Sequence, residues 1–156
     1  MEGRLKGKRA LITGASAAVG RAIAEAFIAQ GVDVFITART DEAAARAVTA
    51  LAGGLEQRAS FMLMDVASCS VDVLFETAHA DVGPIDILVN NPAFITRTPF
   101  LELSGDEYER TLAVNLRFPF FAIQRFAKDC IARKQGGSII NISSVSAFKS
   151  VSRMPA

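Results

Sequence analysis

The feature that most constrains the fold of this chain is a strict alternation. Short apolar runs are separated by longer segments of helical period. The runs lie near 9–13 (Arg-Ala-Leu-Ile-Thr), 33–37 (Asp-Val-Phe-Ile-Thr), 60–64 (Ser-Phe-Met-Leu-Met), 85–89 (Ile-Asp-Ile-Leu-Val) and 138–142 (Ser-Ile-Ile-Asn-Ile). Helices fit between them at about 18–30, 41–52 and 69–81, with one long helix at about 105–133. Strands that are apolar on both faces and alternate with helices predict a parallel sheet covered on each side. Right-handed crossovers then give a doubly wound α/β layout.

Size and composition agree with one folded unit. The chain has 156 residues, 51% of them apolar and 21% charged, enough to build a core within a single domain. Seventeen basic residues against sixteen acidic leave a formal net charge of +1, which argues against nucleic acid or an anionic membrane as the main partner. No apolar stretch approaches the ~20 residues of a membrane-spanning helix. Thr13, Gly14 and Ser16 interrupt the apolar run behind the basic start, so a secretory signal is not expected. Cys69 and Cys130 have no metal-ligand spacing and read as reduced, buried thiols of a cytoplasmic protein. With one histidine besides, they are too few for a zinc site. The long helix is apolar around most of its circumference (Leu112, Leu116, Phe118, Phe120, Phe121, Ile123, Phe126, Ile131). Such a helix is either deep in a core or part of a homo-oligomer interface.

The first strand runs directly into Thr13-Gly14-Ala15-Ser16-Ala17-Ala18-Val19-Gly20 and then a helix. Small residues admit a pyrophosphate close to the backbone, and the N–H groups and dipole of a helix start favour its charge. This is a Rossmann-like arrangement. The second strand ends in Thr37-Ala38-Arg39-Thr40, with Ala38 where an NAD-reading domain offers a carboxylate to the ribose. Arg39 suits a 2′-phosphate, which points to NADP, with NAD possible; otherwise it is a solvated residue opening the second helix.

Residues 13–20 resemble the Thr-Gly-x-x-x-Gly-x-Gly signature of the short-chain dehydrogenase/reductase family, matching at Thr13, Gly14 and Gly20 and departing at Ala18. An alanine there is strained if φ is positive and harmless if φ is negative. The resemblance implies that Gly14, Ser16, Ala17, Ala18, Val19 and Gly20 hold the cofactor phosphates. It implies that Asp65 and Val66 hold the adenine edge; without it, Asp65 would read as a cap for a helix starting near Cys69. Asn90-Asn91-Pro92-Ala93 is similar to the family's Asn-Asn-Ala-Gly, with Asn91 lining the cofactor groove and Pro92 removing a backbone donor.

The same resemblance implies hydride transfer between a nicotinamide and a carbonyl or alcohol carbon, with Ser, Tyr, Lys and Asn handling the proton. Ser144 matches the serine that bonds the substrate oxygen; its alternative is a turn or helix cap. Asn115 matches the helix asparagine of the proton relay. Pro119, four residues on, cannot donate to the Asn115 carbonyl, which would leave that oxygen to hold a water or simply kink the helix. The family's Tyr and Lys fall past Ala156. Tyr108 and Lys149 match neither position. The resemblance therefore covers the N-terminal part of a family member, with sheet order 3-2-1-4-5, the fifth strand an uncovered edge and the tail from Phe148 to Ala156 poorly ordered.

Three readings follow. The first is an NADP-dependent short-chain oxidoreductase acting on a ketone or secondary alcohol, represented by an incomplete chain that is inactive in isolation. The second is a catalytically inactive dinucleotide-binding or interaction module, pairing through helix 105–133. The third is a truncated product that does not persist as a monomer. Phe94, Ile95 and Phe100 either line an apolar pocket or anchor a loop, and His79 reads as a polar helix residue.

Overall fold

The computed structural model describes residues 5–147. Five parallel strands form one sheet: β1 (Arg9–Ile12), β2 (Asp33–Ala38), β3 (Ala59–Leu63), β4 (Ile87–Asn90) and β5 (Ser138–Asn141). Their order is β3-β2-β1-β4-β5, as expected. β1 lies at the centre, with Leu11 opposite Phe35 on one side and opposite Leu88 on the other.

Alternation along each strand feeds two cores. Ala10, Ile12, Val34, Ile36 and Val89 face α1 (Ala18–Ala29) and α2 (Glu42–Thr49), which bury Ala24, Ile28, Ala45 and Val48 against them. Leu11, Phe35 and Leu88 face α3 (Val71–Val82) and α5 (Phe118–Ala132), whose Leu74, Phe75, Phe118 and Phe126 complete the second layer. Both faces of β1, β2 and β4 are therefore apolar, which is why these runs read as strands without period-2 patterning.

Local chemistry sets the helix ends. Asp41 accepts the Ala44 N–H at 2.9 Å to start α2, and Ser70 caps α3. Asp65 does not cap α3. Its Oδ1 accepts the Ala67 N–H at 3.0 Å in a turn before the helix, and Ser70 lies closer to the first turn. α4 (Gly105–Leu112) begins with a reciprocal capping box between Ser104 and Glu107. Glu107 also accepts from Thr98 Oγ1 at 2.6 Å and Thr96 Oγ1 at 2.8 Å, bonds that hold its carboxyl down to about 2. At the other end of the sheet, Arg58 donates to the Asp81 and Val82 carbonyls that finish α3.

The expected long helix is interrupted. Between α4 and α5, Ala113–Arg117 form a π-helical turn in which the Phe118 N–H reaches back to the Ala113 carbonyl. Pro119 sits just beyond, with no N–H to return to Asn115. A wide turn is how the backbone accommodates that missing donor. The helix beginning at residue 41 likewise closes as a 3₁₀ turn at Ala50–Ala52.

Phe118 and Phe126 are buried, whereas Leu116, Phe120, Phe121 and Ile131 are exposed, so this helical stretch has a second, uncovered apolar face. β5 is the sheet edge and all four of its residues are exposed. Cys130 is buried as expected, but Cys69 is only half-buried, with its thiol pushed up to about 11 chiefly by desolvation. Among the described residues no helix is long and apolar enough to cross a membrane. The tail from Phe148 to Ala156, including Lys149, lies outside the described residues.

Candidate functional site

The loop after β1 is held from both sides. Buried Thr13 donates its hydroxyl to the Val89 carbonyl at 3.1 Å. On the β2 side, the Gly14 N–H donates to Thr37 Oγ1 at 3.0 Å and the Ala15 N–H to the Thr37 carbonyl at 2.9 Å. On the β4 side, Asn91 Nδ2 donates to the Gly14 carbonyl at 2.7 Å. Gly14 has φ +66, a conformation that favours glycine. Gly20 is required for a different reason. A Cβ there would land on the Gly14 carbonyl oxygen and 2.6 Å from Asn91 Nδ2, so only glycine lets α1 approach the loop.

Ala18 opens α1 with φ +48, in the left-handed region. The strained alternative at this position is therefore the one the fold adopts. Ala17 is extended and supplies no side-chain cap, and the first turn carries no acidic residue. The amides of this helix start therefore lack the side-chain cap that ordinarily satisfies them, and Ala17, Ala18 and Val19 border an open space.

That space is a cavity of about 480 Å³, within the range of small-molecule and cofactor sites. Its walls are Gly14 and Ser16 to Val19, Thr37 and Arg39 at the end of β2, Met64 to Val66 after β3, and Asn91 to Phe94 after β4, with Arg110 and Val114 from the helical stretch. Every residue expected to touch a dinucleotide lines it except Gly20, which is buried against Gly14 and Asn91. Phe94 lines it too, while Ile95 and Phe100 are exposed on the following loop.

Arg110 was not visible as a site residue in the sequence. Its Nη2 donates to Asp65 Oδ2 at 2.7 Å, and its guanidinium carbon lies 5.3 Å from the Phe94 ring centroid. The bond from Arg110, with the Ala67 N–H beside it, lowers the Asp65 carboxyl below its usual range. Nothing in the spacing signalled this, because Arg110 and Asp65 are brought together only by the packing of α4 beside the β3 turn.

Asn115 and Ser144 stand apart from the cavity lining. Asn115 sits in the π-turn and clamps the Phe94 backbone: its Oδ1 accepts the N–H and its Nδ2 donates to the carbonyl, both at 2.8 Å. Ser144 follows β5, is exposed, and accepts the Ser146 N–H at 3.1 Å. Tyr108, the single tyrosine, is exposed on α4.

The donor set fits a dinucleotide: an uncapped helix start for a pyrophosphate, an arginine at the end of β2, and a carboxylate with an adjacent backbone amide after β3. The family model described as short chain dehydrogenase matches residues 8–156. The chain belongs to this family. Among curated short-chain dehydrogenases and reductases, galactitol 2-dehydrogenase of Agrobacterium fabrum is 37% identical over 142 residues, covering 90% of this chain and 54% of the relative. L-xylulose reductase of Bos taurus is 38% identical over 144 residues, covering 92% and 56%. The chain thus spans about half the length of these relatives. A short chain dehydrogenase from Burkholderia cenocepacia, solved in complex with NADP, superposes with TM-score 0.87 at 33% identity, over 97% of this chain and 61% of that one. A blue fluorescent protein from a metagenomic library, solved with NADPH, gives 0.84 at 33% identity, over 96% and 61%.

Proposed function

We propose that this chain is the dinucleotide-binding part of an NADP-dependent short-chain oxidoreductase that moves hydride between NADP(H) and a ketone or secondary alcohol. The observation that carries the reading is the cavity itself, with an uncapped helix start on one wall and Arg39 at the end of β2. In this reading the amides from Ser16 to Gly20 take the pyrophosphate, with Gly14 shaping the loop and Asn91 holding it. Arg39 takes the 2′-phosphate in a forked contact. Asp65 accepts from the adenine amino group and the Val66 N–H donates to the adjacent ring nitrogen. The bound nicotinamide supplies the hydride chemistry. Ser144 donates its hydroxyl to the substrate oxygen, and Asn115 fixes the Phe94 loop beside the cofactor while its carbonyl, which Pro119 cannot bond, holds a relay water.

NADPH fluorescence titration of the chain tests the cofactor assignment. Arg39→Gln should weaken NADPH binding about tenfold while leaving NADH within about twofold, the loss of one charge-assisted contact. Equal weakening of both, or none, removes Arg39 from the role, and a folded chain that binds neither dinucleotide removes the proposal. A binding module without turnover is the second reading. Tyr108 is exposed away from the cavity lining, and Ser144 also stands apart from it, its oxygen accepting the Ser146 N–H while its own proton stays free among the described residues. Absence of NADPH oxidation across a ketone panel, with binding intact, is the outcome expected for the 156-residue chain.

Location in the cytoplasm and self-association belong to the same proposal. The exposed Leu116, Phe120, Phe121 and Ile131 offer an apolar surface for a second copy, and light scattering of the purified chain should report a dimer or larger.

A further inference from the structure

We infer that Arg110 is a positioning residue that makes the site selective for adenine over a 6-oxo purine, by fixing the direction in which Asp65 accepts hydrogen bonds. The inference rests on the proposed dinucleotide reading and extends it to a residue outside the family's signature segments.

Asp65 is only partly shielded by its surroundings, and an aspartate on a turn can rotate about its side-chain bonds. Here both of its oxygens are held. Oδ2 takes the Arg110 Nη2 at 2.7 Å and Oδ1 takes the Ala67 N–H at 3.0 Å. Each carboxylate oxygen accepts more than one hydrogen bond, so the remaining acceptor capacity has a defined direction while Asp65 stays on the cavity wall. Among the described residues the neighbouring Val66 N–H has no partner, so an unpaired donor and an acceptor belong to adjacent residues that both line the cavity.

This pair complements the edge of adenine, whose amino group donates and whose N1 accepts. A hypoxanthine reverses both: an oxygen would face the carboxylate and an N1–H would face the Val66 N–H. Discrimination of this kind needs groups that cannot turn away from the mismatch. Arg110 supplies the restraint. Its planar fork reaches Asp65 from α4, and its guanidinium lies over the Phe94 ring, whose backbone Asn115 clamps at both ends. Three separate segments thus fix one carboxylate.

The test compares NADPH with its hypoxanthine counterpart by direct titration of the 156-residue chain, with fold checked by circular dichroism. The wild-type chain should prefer NADPH by about tenfold or more, the worth of a charge-assisted hydrogen bond gained against one repelled. Arg110→Gln should bring the two within about twofold, mainly by weakening NADPH. Arg110→Lys, which keeps the charge without the fork, should fall between. Asp65→Asn should abolish the preference with Arg110 in place. A preference that survives Arg110→Gln overturns the inference, as does equal weakening of both dinucleotides, which a purely structural arginine would produce. If the wild-type chain binds neither, the dinucleotide reading fails first and takes this inference with it. If it binds NADPH and Arg110→Gln leaves the ratio unchanged, only the role of Arg110 fails.

Discussion

Ala18→Gly should stabilise this protein although it removes a methyl group from the start of a helix. Ala18 has φ +48, where the Cβ of an L-residue crowds the following carbonyl at a cost of about 1–2 kcal/mol. Glycine removes that strain. It also adds freedom to the unfolded chain, which takes back about 0.5–1 kcal/mol. The net gain lies between about 0 and 1.5 kcal/mol, centred on about 0.8 kcal/mol, which for a chain of this size raises Tm by about 2–3 °C. Paired thermal and urea melts measure it, and Ala18→Val supplies the opposite arm. A β-branched side chain is more strained at positive φ, so valine should cost at least about 1 kcal/mol. A glycine variant that melts below the wild type, beside a valine variant that melts with it, would refute the left-handed assignment. The same pair separates strain from ligand contact, because Ala18 lines the cavity and NADPH affinity can be read on each variant.

Asn115→Ala leaves the Phe94 N–H and carbonyl without their partner and should cost about 1–2 kcal/mol. Faster hydrogen exchange at the Phe94 amide is the accompanying local signature, and unchanged exchange there would show that the clamp does not order the loop. His79 gives the chain an acid sensitivity. Its Nε2 is buried without a hydrogen-bond partner among the described residues, and desolvation lowers its pKa despite Asp129 Oδ2 at 3.6 Å. Below the ordinary histidine value of 6.5 the unfolded chain takes up a proton before the folded one does. This contribution to stability is therefore complete above pH 6.5 and wanes as pH falls through the lowered folded value. Urea midpoints should decline across that window and decline less in His79→Gln.

The strands were legible because a sheet covered on both faces demands apolar residues at consecutive positions, and β1, β2 and β4 supply them. Their ends were less so. Ile85 is buried and reads as strand, yet Asp86 is occupied with Arg9, whose backbone N–H it accepts at 3.1 Å, and pairing begins only at Ile87. The interruption of the long helix was half legible. Pro119 announced a missing donor at Asn115, but apolar periodicity carries no mark of how a backbone absorbs it, and a π-turn preserves enough of the pattern to pass for continuous helix. The alternative of Asp65 as a cap fails because carboxylates serve turns and helix starts alike, and here the cap is Ser70.

The site divides along the same line. The phosphate loop was readable because contiguous small residues do its work, while Arg110 was not, since its partners are set by the crossing of α4 over two loops. The loop also shows why its glycines are not equivalent. Gly20 has backbone and the Asn91 amide inside the volume of a Cβ, so any side chain would force α1 away from β1 and β4. At Ala18 the methyl group meets a conformational penalty rather than an occupied space, and the bonds to Thr37 and Asn91 hold the adjoining loop. A strain of about 1–2 kcal/mol is small against a two-sided anchorage of this kind. The signature can therefore lose its middle glycine and keep its shape, whereas a side chain at Gly20 would displace α1 and the wall of the cavity that Ala18 and Val19 form.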